Sequence, residues 1–246
     1  MLWLLTCVTT AVLLIIVVMI RDMARLPTTA KTTALSRSAA AASPSGGPGP
    51  TRDEIVPKRP SPSPSRPASG PQVTDTASGL SYDLLPSPWQ RGCPGWLDTP
   101  VFSWDAGESA LAGQASIGGT IADWHGNACS GQLRQAFAYS GPADLGPVAT
   151  GVADALDPAY YSALPHSRTI EGSYGMKVSG HAAWVVTFLM TYPDADQEGL
   201  AWSSELGAVV VVDRGAGRTP AVFYVSVPSN LGTANVSTLI RSLQVA

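Results

Sequence analysis

An uncharged apolar run near the N-terminus is the feature that most limits how this chain can fold. Residues 2–20 contain no charged side chain, and their polar members are three threonines and one cysteine. A helix of this length, at about 1.5 Å per residue, just crosses a hydrocarbon core of about 30 Å. The run is long for a signal peptide, and Ile20-Arg21-Asp22 is not a small-residue cleavage site. We therefore predict an uncleaved transmembrane helix over residues 1–22.

A tract rich in Pro, Ser, Ala and Gly follows the apolar run and extends to about residue 75. Because it has almost no large apolar side chains, it cannot bury enough surface to offset the entropy cost of folding. The remaining residues have the length of one ordinary domain. The composition therefore predicts a disordered Pro/Ser/Ala-rich linker over residues 23–76 and one globular domain over residues 77–246.

Charge is divided unevenly between the linker and the domain. Residues 21–76 contain eight basic and four acidic side chains, a net charge of +4, whereas residues 77–246 contain seven basic and fourteen acidic ones, a net charge of −7. An acidic domain is a poor binder of nucleic acid, so nucleic acid is excluded as a partner. The basic linker could rest on anionic lipid headgroups, or its charges could simply keep a disordered segment solvated.

The signals for membrane orientation disagree. Arg21 and Arg25 directly follow the apolar run, which favours a cytoplasmic domain by the positive-inside rule. The Pro/Ser-rich linker is typical of surface stalks, and the cysteine pair Cys93 and Cys129 is typical of an oxidising compartment. We expect a single-pass plasma-membrane protein with an extracytoplasmic domain, and a cytoplasm-facing domain is the alternative.

The state of the cysteines depends on that orientation. In an oxidising compartment we expect a disulfide between Cys93 and Cys129, whereas two buried free thiols are expected in the cytosol. Cys7 lies near the beginning of the apolar run instead of just after it, which argues against lipidation. His125 is four residues before Cys129, but three ligands without a fourth make a weak zinc site. We therefore expect no metal and no cofactor.

Hydrophobic patterning in residues 77–246 predicts several strands and two helices. Apolar residues from Leu145 to Leu156 have helical spacing behind Asp144 as the N-cap, and a second amphipathic helix ends near Leu243. The four consecutive valines at 209–212 indicate a strand buried on both faces. The expected strands cover residues 79–85, 114–124, 132–139, 169–176, 181–192, 205–212 and 221–227. This pattern predicts an α+β fold, an antiparallel β-sheet meander covered by helices.

Two short segments resemble a known family. The end of the chain, with strand 221–227, Pro228 and a helix closing on residues 239–243, resembles PsbP-like domains and the small LpqN-type actinobacterial envelope proteins. Residues 78–82, with the pattern SGL-Y, resemble the opening of the domain in a family of uncharacterised actinobacterial membrane-anchored proteins. The resemblance implies a PsbP-like fold in a mostly non-enzymatic binding or assembly module. It carries no functional residue across, because its motifs are core strands and a capping helix.

Few residues suggest chemistry. There is no G-x-S-x-G motif, and Ser130 and Ser179 are the nearest serines among small residues. Ser179 is two positions from His181, a spacing that rarely produces attack geometry on a strand. The glycine-rich segment 213–218 lacks the Lys-Ser/Thr and the following helix of a phosphate loop, so it is interpreted as a hairpin tip. We therefore expect no catalytic residue.

Four tryptophans are concentrated in a Pro/Gly-rich region, and they form the one candidate recognition surface. They are Trp89, Trp96, Trp104 and Trp124. Aromatic side chains at such density could line a groove for a glycan, a lipid or a peptide, or they could be the core of a loop-rich region stapled by the cysteines. The expected function is a membrane-anchored envelope protein that binds a partner or scaffolds an assembly. A cell-wall-associated hydrolase and a purely structural spacer are the alternatives.

Overall fold

A computed structural model describes residues 70–245 of the chain. The predicted transmembrane helix over residues 1–22 and nearly all of the predicted linker lie outside the described residues. Between Gly70 and Val245, no helix has the length and hydropathy that crossing a membrane requires. The predicted linker boundary at residue 76 is too late, because a strand already begins at Gln72 and buries Val73 in the core.

Ten strands and two α-helices make up the folded region. The strands are β1 (Gln72–Asp75), β2 (Leu80–Asp83), β3 (Gln90–Arg91), β4 (Ala106–Ile117), β5 (Thr120–Gln132), β6 (Ser167–Val178), β7 (His181–Thr191), β8 (Ser204–Val212), β9 (Ala221–Pro228) and β10 (Gln244–Val245). The helices are α1 (Leu145–Leu156), which continues into a π-helical turn (Asp157–Tyr161), and α2 (Ala234–Ser242). The large sheet has the order β3-β4-β5-β9-β8-β7-β6, and the small sheet has the order β1-β2-β10.

The large sheet is apolar on both faces and is covered on each of them, so the folded region has three layers. Alternate residues of β8 enter opposite cores: Val209 and Val211 pack on the α1 side, and Val210 and Val212 pack on the other side. The second core is covered by the small sheet and α2, which contribute Tyr82 and other buried residues. All strand pairs are antiparallel within the described range. The coarse prediction of antiparallel sheet with a few helices is therefore confirmed.

The register of β7 also follows the predicted alternation. Val186, Phe188 and Met190 are buried on the α1 side, whereas Thr187 lies on the other face and is half-buried. Phe188 is paired with Gly207 of β8. A Cβ atom at Gly207 would lie 2.3 Å from the Phe188 ring, so glycine provides the space that the ring occupies.

Two local predictions need correction. Residues 114–124 were expected as one strand with Gly118 and Gly119 as a bulge or a turn. The turn is the alternative observed: these residues form the end of the β4–β5 hairpin, and both glycines have positive φ, 58° and 82°, as a tight primed turn requires. The expectation of a single continuous strand is wrong. Residues 132–139 were expected as a strand but leave the sheet after Gln132. Their Phe137 N–H bonds to the Arg134 carbonyl in a local turn, so the segment turns where an extended strand was expected.

Candidate ligand-binding groove

A groove of about 730 Å³ lies between two loops of the folded region. One wall is the loop that follows β5, residues 133–135 and 137–140 together with Asp144, and the other wall is residues 217–220. The backbone N–H of Leu133 donates to the Pro220 carbonyl at 2.9 Å, which fixes the floor where the two loops meet. Binding residues are often found on loops held by a rigid scaffold, and here the scaffold is the end of β5 and the beginning of β9.

The groove contains two of the domain's seven basic side chains. Arg134 and Arg218 stand on opposite walls, and both are exposed. The carboxylate of Asp144 accepts hydrogen bonds from the Ser140 hydroxyl at 2.6 Å and from its backbone N–H at 2.8 Å. These bonds lower the pKa of Asp144. Asp144 therefore fixes its own loop, and the two arginines remain available to an anionic group.

Tyr139 adds a hydrogen-bonding group to the same wall. Its hydroxyl is shielded from solvent and makes no hydrogen bond of standard geometry among residues 70–245, although the Asp213 carboxylate lies close enough to act as an acceptor. Burial raises the pKa of Tyr139 to about 12, and the nearby Asp213 carboxylate adds to the effect. The phenol therefore stays protonated at neutral pH. Unpartnered buried polar groups are rare in folded proteins, and a bound polar group is one way to satisfy them.

An aromatic row extends from the groove. Phe137, in the groove wall, stacks on Phe102 at 5.9 Å, and Phe102 stacks on Trp104 at 5.8 Å. The Trp104 Nε1–H donates to the Tyr160 hydroxyl at 3.0 Å, and the Trp96 ring meets Tyr160 edge-on at 6.4 Å. The row ends at Trp96, which is 55% exposed. Most of the row is core packing, because Phe102 is buried and Phe137, Trp104 and Tyr160 are half-buried.

The four predicted recognition tryptophans do not line one surface. Trp89 is buried in the core on the α2 side of the large sheet, whereas Trp104 and Trp124 pack in the core on the α1 side. Trp124 is nearly buried, and Trp104 is half-buried. The large sheet itself separates Trp89 from the others, a separation that closeness in sequence could not reveal. Trp96 is the one tryptophan of the four that is largely exposed.

The predicted Cys93–Cys129 disulfide is present. The Cα atoms are 5.8 Å apart, and the bond joins the loop after β3 to a position near the end of β5. Gly107 lies directly beside it, and an added Cβ there would meet the sulfur of Cys129 at 3.0 Å. Because both thiols are consumed, neither can ligate zinc with His125. Across residues 70–245, no three metal-ligating side chains form a group that could hold an ion.

The hydroxyls of both serines considered for catalysis are hydrogen-bonded to backbone groups. The Ser130 hydroxyl is buried and donates to the Ala106 carbonyl. The Ser179 hydroxyl accepts the Val245 N–H at 3.0 Å, while Nδ1 of the neighbouring His181 lies 3.1 Å from the carbonyl oxygen of Asp213. No hydrogen bond joins a serine to a histidine in the described part of the chain, and neither serine borders the groove.

Of the other two histidines, His166 contacts the π-helical turn that continues α1, and His125 does not. Nε2 of His166 lies 3.0 Å from a carboxylate oxygen of Asp157, and Nδ1 lies 2.8 Å from the Leu164 carbonyl. Both contacts hold the imidazole against the π-helical turn. His125 lies on β5 and is paired with Leu111 of β4. Neither histidine borders the groove.

A buried carboxyl network that the sequence did not reveal lies beneath the α1 side of the sheet. Glu205 of β8 is 2% exposed, and its carboxyl accepts hydrogen bonds from Trp124 Nε1–H at 3.0 Å and from the Tyr192 hydroxyl at 3.1 Å. The Ser226 hydroxyl also bonds to it, and the Tyr161 hydroxyl lies 2.6 Å from Ser226. Burial raises the pKa of Glu205. The network joins β5, β8 and β9 to the π-helical turn and to Tyr192, which follows β7, and none of its residues lines the groove.

A second buried carboxyl, Glu108 of β4, faces the α2 side. One oxygen accepts the Leu85 N–H at 2.9 Å, and the other has no partner among the described residues. Burial raises the pKa of Glu108 to about 7, with partial opposition from the Leu85 hydrogen bond and from Arg91. Neither Glu108 nor Glu205 lines the groove, so neither is placed to contact a ligand there.

The comparisons with known proteins give little to set beside this geometry. No protein-family model matches the chain, and no curated protein matches it. Among solved structures, the chain is similar to cyanobacterial PsbP (CyanoP) from Synechocystis sp. PCC 6803, with 12% identity and a TM-score of 0.42. The match covers 71% of this chain and 93% of that one. A likeness of this size carries no argument about fold or function.

Proposed function

We propose that this chain is a single-pass membrane-anchored protein of the cell envelope whose folded region is a non-enzymatic module that binds a ligand or a partner. The observation that carries the proposal is the open groove between residues 133–144 and 217–220. Concave sites with a few placed polar groups beside apolar walls are typical of binding sites. Membership of an actinobacterial LpqN-type family, with a PsbP-like fold, is part of the same proposal.

The lining favours a ligand that combines an anionic group with a flat or apolar part. Arg134 and Arg218 can hold an anion from two sides, and arginine does this with several hydrogen-bond donors at once. The Tyr139 phenol offers a further donor, and Phe137 offers an aromatic face. An envelope glycan, a lipid headgroup with its neighbouring acyl chain, or an acidic segment of an envelope protein has this chemistry.

A binding role is preferred to hydrolysis because the groove lacks converging catalytic groups. Acid–base or covalent catalysis needs a nucleophile and a base within hydrogen-bond reach of one reacting atom. The groove's serine, Ser140, donates to Asp144 and has no histidine beside it in the described region. A cell-wall hydrolase is therefore the second candidate, and it requires one of the histidines or serines to be essential.

The proposed location outside the cytoplasm rests on the apolar run, the stalk-like linker and the disulfide, which is typical of oxidising compartments. Protease added to intact cells with an exposed plasma membrane should cut the linker and release the folded region with its disulfide intact. Protection until lysis would instead place the domain in the cytoplasm, as the positive-inside pattern of Arg21 and Arg25 suggests.

Complementation of a deletion strain tests the groove against the hydrolase alternative. Arg134→Glu combined with Arg218→Glu should abolish complementation while the protein remains folded and membrane-bound. Arg241→Glu is the matched control, because Arg241 is an exposed arginine on α2 outside the groove. Alanine substitutions of His125, His166, His181, Ser130 and Ser179, made one at a time, should each complement. Failure of one of these in a folded, anchored protein would favour the hydrolase.

A further inference from the structure

The outer edge of β6 has no partner strand within residues 70–245. β6 is the terminal strand of the large sheet and, at twelve residues, is as long as β4. At the opposite end of the sheet, β3 covers part of the β4 edge. Ile170 and Tyr174 of β6 are 47% and 49% exposed, one on each face. A long edge strand with exposed apolar side chains is a template for pairing with another strand.

Proteins usually protect such an edge with charges or bulges, and β6 has both. Glu171 is the extra residue of a bulge between Ile170 and Gly172, and Lys177 is near the end of the strand. Both charged side chains are exposed and form no ion pair with another described residue. These charges have opposite signs and lie three residues on either side of Tyr174. A strand that presents the opposite order of charges would therefore be attracted to this edge, whereas an unrelated strand would not.

We propose that β6 pairs antiparallel with β6 of a second copy of this chain, about a two-fold axis that passes through Tyr174. In this register, Glu171 of each copy lies opposite Lys177 of the other, so two ion pairs form. The two Tyr174 rings lie side by side at the axis. Opposed residues in antiparallel strands point to the same face, which brings each charged pair together.

The register is specific because symmetry restricts the choices. In an antiparallel pair, two directly opposed residues either both point their backbone N–H and C=O groups at the partner strand or both point them away from it. A symmetric pair can therefore place its two-fold axis only at a residue, and each alternative register moves the axis to a neighbouring residue. Moving the axis to Ser173 places Lys177 opposite Thr169, and moving it to Gly175 places Lys177 opposite Ser173. Neither shift pairs opposite charges. The interface is isologous, so each favourable contact occurs twice.

Disulfide trapping in the full-length chain tests this register. With Cys7→Ser as the background, Tyr174→Cys should give a covalent dimer after mild oxidation in membranes, because directly opposed Cβ atoms are about 4.5–5.5 Å apart. Thr169→Cys is the matched control on the same strand and should give no dimer, since its two copies would be separated by about ten residues, roughly 34 Å. Equal trapping at both positions, or none at Tyr174, would overturn the proposal.

A charge-reversal cycle measures the proposed ion pairs. In the Tyr174→Cys background, Glu171→Lys alone or Lys177→Glu alone should lower the dimer yield by about tenfold, because two attractive pairs become repulsive. Combining the two reversals should restore the yield, because the pairs reform with exchanged signs. Unchanged yield in the single variants, or no recovery in the double variant, would refute this register. Trapping of a different protein in place of a second copy would show that the edge serves another partner.

Discussion

Stability should become sensitive to pH through Glu108, a glutamate buried on the α2 side of the large sheet. One of its carboxyl oxygens accepts the Leu85 N–H, and the other has no partner in the described region. Burial raises its pKa from 4.5 to about 7. The native state therefore holds a proton on Glu108 that the unfolded state releases at lower pH. Stability contributed by the neutral carboxyl is complete below about pH 4.5 and is lost as pH rises to about 7.

The size of this effect follows from the shift. A difference of about 2.5 pKa units corresponds to at most about 3 kcal/mol. Solvent screening around Arg91 and the strand end reduces the expected value to about 1–2 kcal/mol. Glu108→Gln keeps the shape and an acceptor oxygen for Leu85 but cannot ionise. We therefore expect the variant to match the original protein at pH 4 and to be about 1–2 kcal/mol more stable at pH 8.

Urea denaturation of residues 70–246 at pH 4 and pH 8 measures the difference in free energy of unfolding. Glu198→Gln, at an exposed glutamate, controls for the removal of one negative charge from the domain. A gain that is equal at both pH values would contradict the reasoning, because it would arise from packing and not from ionisation. A loss of stability at pH 8 would show that the buried carboxylate is favourably paired.

Three further changes test the packing. Replacing Cys93 with serine should destabilise the protein by roughly 3–4 kcal/mol under the loop-entropy model, since the bond to Cys129 spans 36 residues; denaturation with and without reductant measures it. Gly207→Ala should cost about 1–3 kcal/mol because its Cβ overlaps the Phe188 ring, and the added cost should shrink in a Phe188→Ala background, as a double-mutant cycle would show. Glu205→Ala should cost about 3–5 kcal/mol, and Glu205→Gln markedly less because it retains an acceptor; equal losses would refute the network's role.

The sequence predicted those parts of the fold that repeat a simple pattern. The valines of β8 and the alternation of β7 identified two central strands within one or two residues of their observed bounds. The spacing of Leu145 to Leu156 identified α1, but the expected N-cap Asp144 makes no capping hydrogen bond and accepts hydrogen bonds from Ser140 instead. These segments are buried on regular faces, so period alone specifies them. β1 and β10 were missed because they are short strands that depend on pairing with β2 and not on their own pattern.

The candidate site was less accessible to sequence reasoning. The groove is formed by loops that are about eighty residues apart in the chain, and no local pattern connects them. Nothing local to Glu205 in the sequence indicates its role, because its three donors, Trp124, Tyr192 and Ser226, come from segments far apart in the chain. The one available signal was a glutamate at a strand position whose neighbours two and four residues on, Gly207 and Val209, face the core. Tertiary pairing, and not local propensity, decides such sites.

The central claim, that the groove is a binding site, is tested most directly by photo-crosslinking in intact cells. A photoreactive residue at Ala138, exposed in the groove wall, should form one discrete adduct that mass spectrometry detects on the purified chain. The same residue at Thr150, exposed on α1 away from the groove, should form none. Arg134→Glu with Arg218→Glu should abolish the adduct at Ala138. An adduct that persists in that double variant, equal adducts at both positions, or no adduct at Ala138 would contradict a binding function for the groove.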